Sequence, residues 1–295
     1  MLERTRIVVV CTFVALVLAA GCQSGPKKTD GDKSGESTAT PAESTEPEAA
    51  PVDTAQGAIE TLRTIETDQG EVKVTPLEHG SLMLGFGERT IYVDPTSAAL
   101  EHADKPLPKG DLVLVTHIHG DHLDPQAISK VRGEGAAVIV PQSVADEAGD
   151  ALPNPKIIAN GETTEAFDGS LEIEAFPMYN LVRKRDNGEF YHPKGRGNAY
   201  ILTMDGARVY ISGDTECTPE MKALEDIDAA FLSMNLPYTM PPSEAAECVR
   251  AFEPDVLYPY HFRGQNPEEL NGLLGADSEV EVRLLQWYPE GEGAE

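Results

Sequence analysis

Residues 111–122 read DLVLVTHIHGDH. The first six residues form a near-continuous apolar run, which predicts a strand buried on both faces. Directly behind it come His117, His119, Asp121 and His122, three imidazoles and a carboxylate within six positions. Packing does not account for that density, because histidines desolvate poorly and repel one another when charged. Imidazole and carboxylate are the donors that suit Zn2+ or a similar first-row ion. His117 and His119 project alike from an extended turn. Asp121 and His122 begin the next bend, where they can face a second ion. Asp124 and Pro125 then offer an N-cap and a first-turn proline, so a short helix is predicted through about Val131.

Working outward, short strands separated by glycine-containing turns are predicted at 72–76, 81–86 and 90–93, as in a meander. Further strands are expected at 137–140, 156–158, 171–176, 198–204, 207–212, 229–233, 256–260 and 280–285. Asp205 and Gly206 supply the hairpin signal between two of them. Helices are expected near 143–148, 219–224 and 242–252, and Asn266, Pro267, Glu268 and Glu269 cap a last one. No repeat of fixed short period is visible. The pattern is α/β: two packed sheets with helices outside, in one domain.

The chain has 295 residues, with 23 Lys+Arg against 50 Asp+Glu and a net charge of −27. That balance excludes a nucleic-acid-binding face, which has to be basic. At 40% hydrophobic and 25% charged residues the chain is also too polar for a multi-span membrane protein. Four cysteines are too few for a disulfide scaffold. Residues 1–21 have a basic start and the apolar run IVVVCTFVALVLAA, short of the ~20 residues needed to span a bilayer. Leu18, Ala19, Ala20, Gly21 and Cys22 resemble a bacterial lipobox, which implies cleavage before Cys22 and a diacylglycerol on its thiol. Residues 22–56 are rich in Gly, Ser, Thr, Pro and Glu and cannot bury a core, as expected of a tether. The organisation expected is therefore a lipoprotein signal peptide (1–21), a lipidated cysteine with its linker (22–56) and a folded domain (57–295), held at the cell envelope facing the periplasm or exterior.

The signature at His117, His119, Asp121 and His122 resembles the His-x-His-x-Asp-His motif of metallo-β-lactamase fold hydrolases. The likeness spans about residues 72–288 through ordered landmarks: IYVDP at 91–95, YISGDT at 210–215 and YPYH at 258–261. Glu78, His79, Gly80 and Ser81, followed by Val93, Asp94 and Pro95, most resemble the branch holding L-ascorbate-6-phosphate lactonase and N-acyl-phosphatidylethanolamine phospholipase D. The resemblance implies a four-layer αββα fold and one or two ions, Zn2+ foremost, with Mn2+ or Fe2+ as alternatives. It puts His117 and His119 on a first metal, Asp121, His122 and His261 on a second, and Asp214 between them. Asp94 is expected to orient a ligand. His79 either lines the pocket or is a satisfied core histidine, and His102 sits in polar loop sequence, where it is solvated.

One departure stands out. Where the family's third histidine for the first metal is expected, this chain reads Pro177, Met178, Tyr179, Asn180. Three readings stay open: a weak site, Asn180 as a carbonyl ligand, or His192 borrowed from the following loop. Cys217 reads as a spare thiol at a strand-to-helix turn, with a pairing to Cys248 left open. The stretch 181–197 carries Arg183, Lys184, Arg185, Lys194 and Arg196 against Asp186 and Glu189. It is either a solvated loop or an anion-binding one, and in the second case His192, Lys194 and Arg196 are favoured over residues 183–185 as substrate contacts.

The expected function is a membrane-anchored hydrolase using a metal-bound hydroxide, with Asp121 or Asp214 orienting the water and taking its proton. Its substrate is expected to be an anionic small molecule or a lipid-like phosphodiester. The alternatives are a lactonase or β-lactam hydrolase of the same fold, and a metal-deficient binding lipoprotein.

Overall fold

Leu112 and Leu114 are wholly buried on one side of their strand, and Val113 and Val115 on the other. The first pair enters a core between two sheets, and the second packs under helices. That is why the run shows no polar alternation. In a computed structural model the described residues are 62–289, apart from Gln69 and Asp104. The expected signal peptide (1–21) and the expected lipidated Cys22 with its linker (22–56) lie outside them.

The first sheet holds, in spatial order, β1 (Thr64–Glu66), β2 (Glu71–Glu78), β3 (Ser81–Phe86), β4 (Arg89–Val93), β5 (Gly110–Leu114), β6 (Arg132–Val140) and β7 (Lys156–Ile157). The second holds β8 (Thr163–Ala166), β9 (Leu171–Met178), β10 (Gly197–Met204), β11 (Ala207–Ile211), β12 (Ala229–Ser233), β13 (Val256–Tyr260) and β14 (Glu281–Val282). Each sheet begins as an antiparallel meander and turns parallel, from β4 onward in the first and from β11 onward in the second. Val74, Leu84, Ile91 and Leu114 of one sheet meet Ile173, Leu202, Ile211 and Phe231 of the other in the inner core.

Helices cover the outer faces. α1 (Ser97–Glu101) is capped by Thr96, whose hydroxyl accepts from the Ala99 N–H. α2 (Pro125–Val131) is capped by Asp124, which accepts from Gln126 and Ala127 N–H and also from Ser97 N–H. With α3 (Gln142–Ala148), α2 packs Ile128, Val131 and Val144 on the first sheet. α4 (Pro219–Lys222), α5 (Pro242–Phe252) and α6 (Glu269–Leu274) place Met221, Val249 and Leu270 on the second. The architecture is the four-layer αββα arrangement expected. No helix among the described residues is long and apolar enough to cross a membrane.

The differences from expectation have local causes. β1, β8 and α1 are short and carry no periodic apolar pattern. β6 begins at Arg132 rather than 137 because backbone pairing with Gly110 extends it through a polar, glycine-containing start. The last strand shrinks to two residues because the chain then leaves the sheet edge. Leu285, Trp287 and Tyr288 fold into the inner core, and the Trp287 carbonyl accepts from His79 N–H.

Cys217 is not a spare thiol. It is bonded to Cys248 of α5, with Cα atoms 5.6 Å apart across a separation of 31 residues. The bond pins the segment following β11 to the helix layer. Closing a loop of that length removes unfolded-state entropy worth about 3–4 kcal/mol. The double variant Cys217→Ser/Cys248→Ser is expected to lose about that much unfolding free energy in equilibrium denaturation. A loss below about 1 kcal/mol would show that the helix packing holds the segment unaided.

Candidate metal centre

The side chains that matter leave the C-terminal ends of the parallel strands, where ligand sites of α/β sheets form. Asp94 follows β4, the run from Thr116 to His122 follows β5, Asp214 follows β11 and His261 follows β13. The loop between β9 and β10 brings in His192.

Two groups of donors share one carboxylate. In the first, His119 Nδ1 lies 3.0 Å from His117 Nε2 and 3.1 Å from His192 Nε2. Asp214 Oδ2 is 3.4 Å from His192 Nε2 and 4.0 Å from His117 Nε2. In the second, His122 Nε2 and His261 Nε2 are 3.0 Å apart, and Asp214 Oδ1 lies 3.5 and 3.4 Å from them. Asp121 Oδ2 is 3.3 Å from His261 Nε2 and 3.4 Å from His79 Nε2. Asp214 therefore turns one oxygen to each group.

The outer atoms of these rings fix what the inner atoms can do. Asp94 accepts from Thr116 N–H at 2.7 Å, from the Thr116 hydroxyl at 2.6 Å and from His122 Nδ1–H at 2.8 Å. With its proton given to Asp94, the Thr116 oxygen is left to accept from His117 Nδ1–H at 3.0 Å. Asn180 Oδ1 accepts from His192 N–H at 2.7 Å and from the ring Nδ1–H at 3.1 Å. His117 and His192 thus carry their protons outward, and their inner Nε2 lone pairs face Asp214. Asp214 Oδ1 is buried and has no hydrogen-bond partner among the described residues. Lone pairs gathered around a carboxylate repel unless a cation stands among them, so the donor set fits a metal.

Burial, reinforced by the neighbouring imidazoles, holds His119 and His79 down to about 4 and His117 well below its ordinary value. These shifts favour the neutral form of the rings, the form in which imidazole ligates a metal. Burial also opposes charge on His122, but Asp214, Asp94 and Asp121 outweigh it and carry the ring up to about 10. For Asp121 and Asp214 burial works toward protonation. The facing histidines win, His261 first in each case, and hold both carboxyls well below the usual range.

The backbone is strained at the same place. His79, Asp94 and His261 all adopt positive φ, at 54°, 48° and 49°, a conformation that costs non-glycine residues of order 1–3 kcal/mol each. Gly80 is required beside them, since a Cβ there would stand 2.8 Å from His122 Cε1 and 3.0 Å from His261 Cδ2. His79 lies in the cavity wall, its ring 3.8 Å from that of His261 and its Nδ1 2.8 Å from the Tyr288 hydroxyl. His102, exposed, caps α1 away from the cluster.

Several expectations need correction. Asn180 turns no oxygen toward the cluster, because Oδ1 is engaged by His192 and Nδ2 donates to the Tyr238 carbonyl. His192 instead stands at the vacant ligand position, its Nε2 beside His119 Nδ1 and Asp214 Oδ2, and the metal-deficient reading, which rested on Asn180, loses its basis. Lys194 points elsewhere, its ammonium on Glu220 and the Tyr179 hydroxyl. Arg183 is likewise tied to Glu216 and Glu244. Arg196 lines a cavity beside His117 and His119. The residue sequence reasoning passed over is Arg185, whose Nη2 lies 3.0 Å from His119 Nε2 and whose guanidinium stacks on Tyr191 at 5.1 Å. Arg263 and Tyr288 were also missed. No sequence signal marked any of the three apart from the basic cluster around Arg185.

This fold and this cluster define a metal-dependent hydrolase. The chain belongs to the beta-lactamase superfamily, whose domain model matches residues 73–261. It is 30% identical over 222 residues to a UPF0173 metal-dependent hydrolase of Thermococcus kodakarensis, covering 72% of this chain and 96% of that protein. A structure assigned as a metal-dependent hydrolase from Parabacteroides distasonis superposes with a TM-score of 0.68 at 45% identity, over 75% of this chain and 96% of that one. Igni18, a metallo hydrolase from Ignicoccus hospitalis, shares the fold at 23% identity and a TM-score of 0.60, over 73% and 95% of the two chains.

Asn180 serves one group, whereas Asp94 reaches both, His122 directly and His117 through Thr116. Asn180→Ala is expected to weaken one metal equivalent about 10–100-fold by freeing His192, and Asp94→Ala to weaken the other by about as much through His122 and the first to a smaller extent through His117. Asp214→Ala is expected to weaken both. Calorimetric titration of the metal-free protein reads these losses, and a pattern in which Asn180→Ala leaves both equivalents untouched would remove His192 from the ligand set.

Proposed function

We propose that this metal-dependent hydrolase acts at the cell envelope on an anionic small molecule or phosphodiester. The observation that carries the reading is Arg185. It stands at the mouth of the cluster, and no carboxylate pairs with it among the described residues of a chain of net charge −27. The overall field repels anions, and a guanidinium at the reacting centre reverses that sign locally.

Bound at the two donor groups, Zn2+ or another first-row ion such as Mn2+ or Fe2+ supplies an acidified water and a Lewis acid. The chain's residues divide the remaining work. Asp214 is buried, with both oxygens turned into the cluster, so its role is to hold the centre together. Asp121 is the accessible carboxylate, 44% exposed, and the facing histidines keep it ionised. It accepts a hydrogen bond from the attacking water and orients it. Arg185 binds the anionic group and offsets negative charge that builds up during hydrolysis.

The envelope location is supported by the lipobox-like residues ending at Cys22 and the linker composition that follows. The disulfide between Cys217 and Cys248 also suits an oxidising compartment. Mature protein from the membrane fraction is expected to begin at a Cys22 carrying lipid mass, and Cys22→Ala to abolish that species. Unmodified soluble protein as the normal product would refute the anchor.

For the substrate reading, Arg185→Ala is expected to lower kcat/KM on bis(4-nitrophenyl) phosphate by about 10–100-fold, the worth of a charged hydrogen bond. Lys194→Ala should change it little. A panel with a lactone and a β-lactam sets the comparison. Equal losses on anionic and neutral substrates would make Arg185 a scaffold residue.

A further inference from the structure

The metal cluster forms a partition between two chambers of opposite character. One, of about 480 Å3, has an apolar wall of Ile118, Met178, Phe190 and Pro193, completed by the cluster histidines His117 and His192 and by Glu189 and Arg196. The other, of about 400 Å3, is walled by His79, Asp121, Asp214, Asn235 and Arg263. His119, Arg185 and Tyr191 belong to both walls. In the polar chamber, Arg263 is held by Glu78 at 3.1 Å and lies 5.3 Å over the Tyr288 ring. Arg185 is held over Tyr191 in the matching way. Two guanidiniums, each steadied on a tyrosine face, thus line the chamber that contains Asp121 and Asp214.

We infer that the substrate is an amphipathic anion, its charged group beneath Arg185 and Arg263 and its apolar substituent in the chamber of Ile118, Met178 and Phe190. The inference rests on the anionic reading given above and adds a second determinant to it. A purely polar anion would leave water against Ile118, Met178, Phe190 and Pro193, which cannot bond it, whereas an alkyl or aryl substituent displaces that water favourably. Each methylene buried there multiplies affinity by about fourfold. The determinants are coupled through one short hairpin. Lys184 pairs with Phe190, and Arg185 N–H donates to the Glu189 carbonyl at 2.7 Å. Arg185, Phe190 and Tyr191 therefore reach the cluster as a unit, the anion contact on one arm and the apolar wall on the other.

Non-hydrolysable probes test this on the full chain loaded with Zn2+. Calorimetry is expected to show phenylphosphonate binding at least tenfold more tightly than methylphosphonate. Phe190→Ser is expected to cut that ratio below threefold. Ile118→Ser, on a different element of the same wall, provides a second reading should the hairpin rearrange. Arg185→Ala is expected to weaken both probes alike and leave the ratio standing. Equal affinities for the two probes, or a ratio that both serine variants leave unchanged, would overturn the apolar chamber while the anionic reading survived. Two probes indifferent to Arg185→Ala would instead overturn the anionic reading on which the inference rests.

Discussion

A buried carboxylate with one oxygen left unpartnered among the described residues is the constraint around which this molecule is arranged. Asp214 is almost wholly shielded from water, and one of its oxygens takes no hydrogen bond among the described residues. An isolated charge so placed costs several kcal/mol in a folded protein. The compensation cannot come from nearby sequence, so the fold brings His117, His119, His122, His192 and His261 to it from three loops. Their outer nitrogens are engaged by Asp94, Thr116 and Asn180 in ways that turn inner lone pairs on His117 and His192 toward the carboxylate. The cluster is thereby preorganised for a cation, and the left-handed backbone at His79, Asp94 and His261 is strain held in place by the surrounding sandwich.

The topology explains how such distant residues meet. Both sheets change from antiparallel to parallel after their meander, and Asp94 and Asp214 follow corresponding strands, β4 and β11, at that change. One carboxylate became the outer acceptor and the other the inner one. Facing sheets put both strand ends at one rim of the sandwich. The C-terminal segment closes the rim, since Tyr288 packs in the inner core and still reaches His79 with its hydroxyl.

How much of this was legible depends on how local the cause is. His117, His119, Asp121 and His122 declare themselves because a buried strand runs straight into them. Asp214 and His261 follow apolar strands in the same way, so their positions could be read from pattern and order. His192 was visible only as one of three answers to the missing histidine, because what selects it is the side-chain amide of Asn180, twelve residues away, accepting from both its backbone and its ring. The preference for Lys194 and Arg196 over residues 183–185 missed the position of Arg185 for a similar reason. Sequence shows five cations on one loop, and only the folded chain shows Glu220 capturing Lys194. The bond from Tyr288 to His79 crosses 209 residues and left no trace in either neighbourhood.

Rigidity is distributed to match. The donors of Asp94, His117, Asp214 and His261 sit at the ends of strands buried on both faces, where side-chain positions are fixed by packing. The segment between Asn180 and His192 is fastened at both ends, by their mutual hydrogen bonds and by Arg183 on Glu216 and Glu244. Between those anchors only the hairpin of Lys184 and Phe190 is exposed to solvent and placed against the cluster. Changes within it can alter what Arg185, Phe190 and Tyr191 present without disturbing Asn180 or the ring it holds. The hairpin thus touches the centre through Arg185 on His119 without sharing its anchors, and a superfamily with one metal cluster can serve many substrates by varying a loop of this kind.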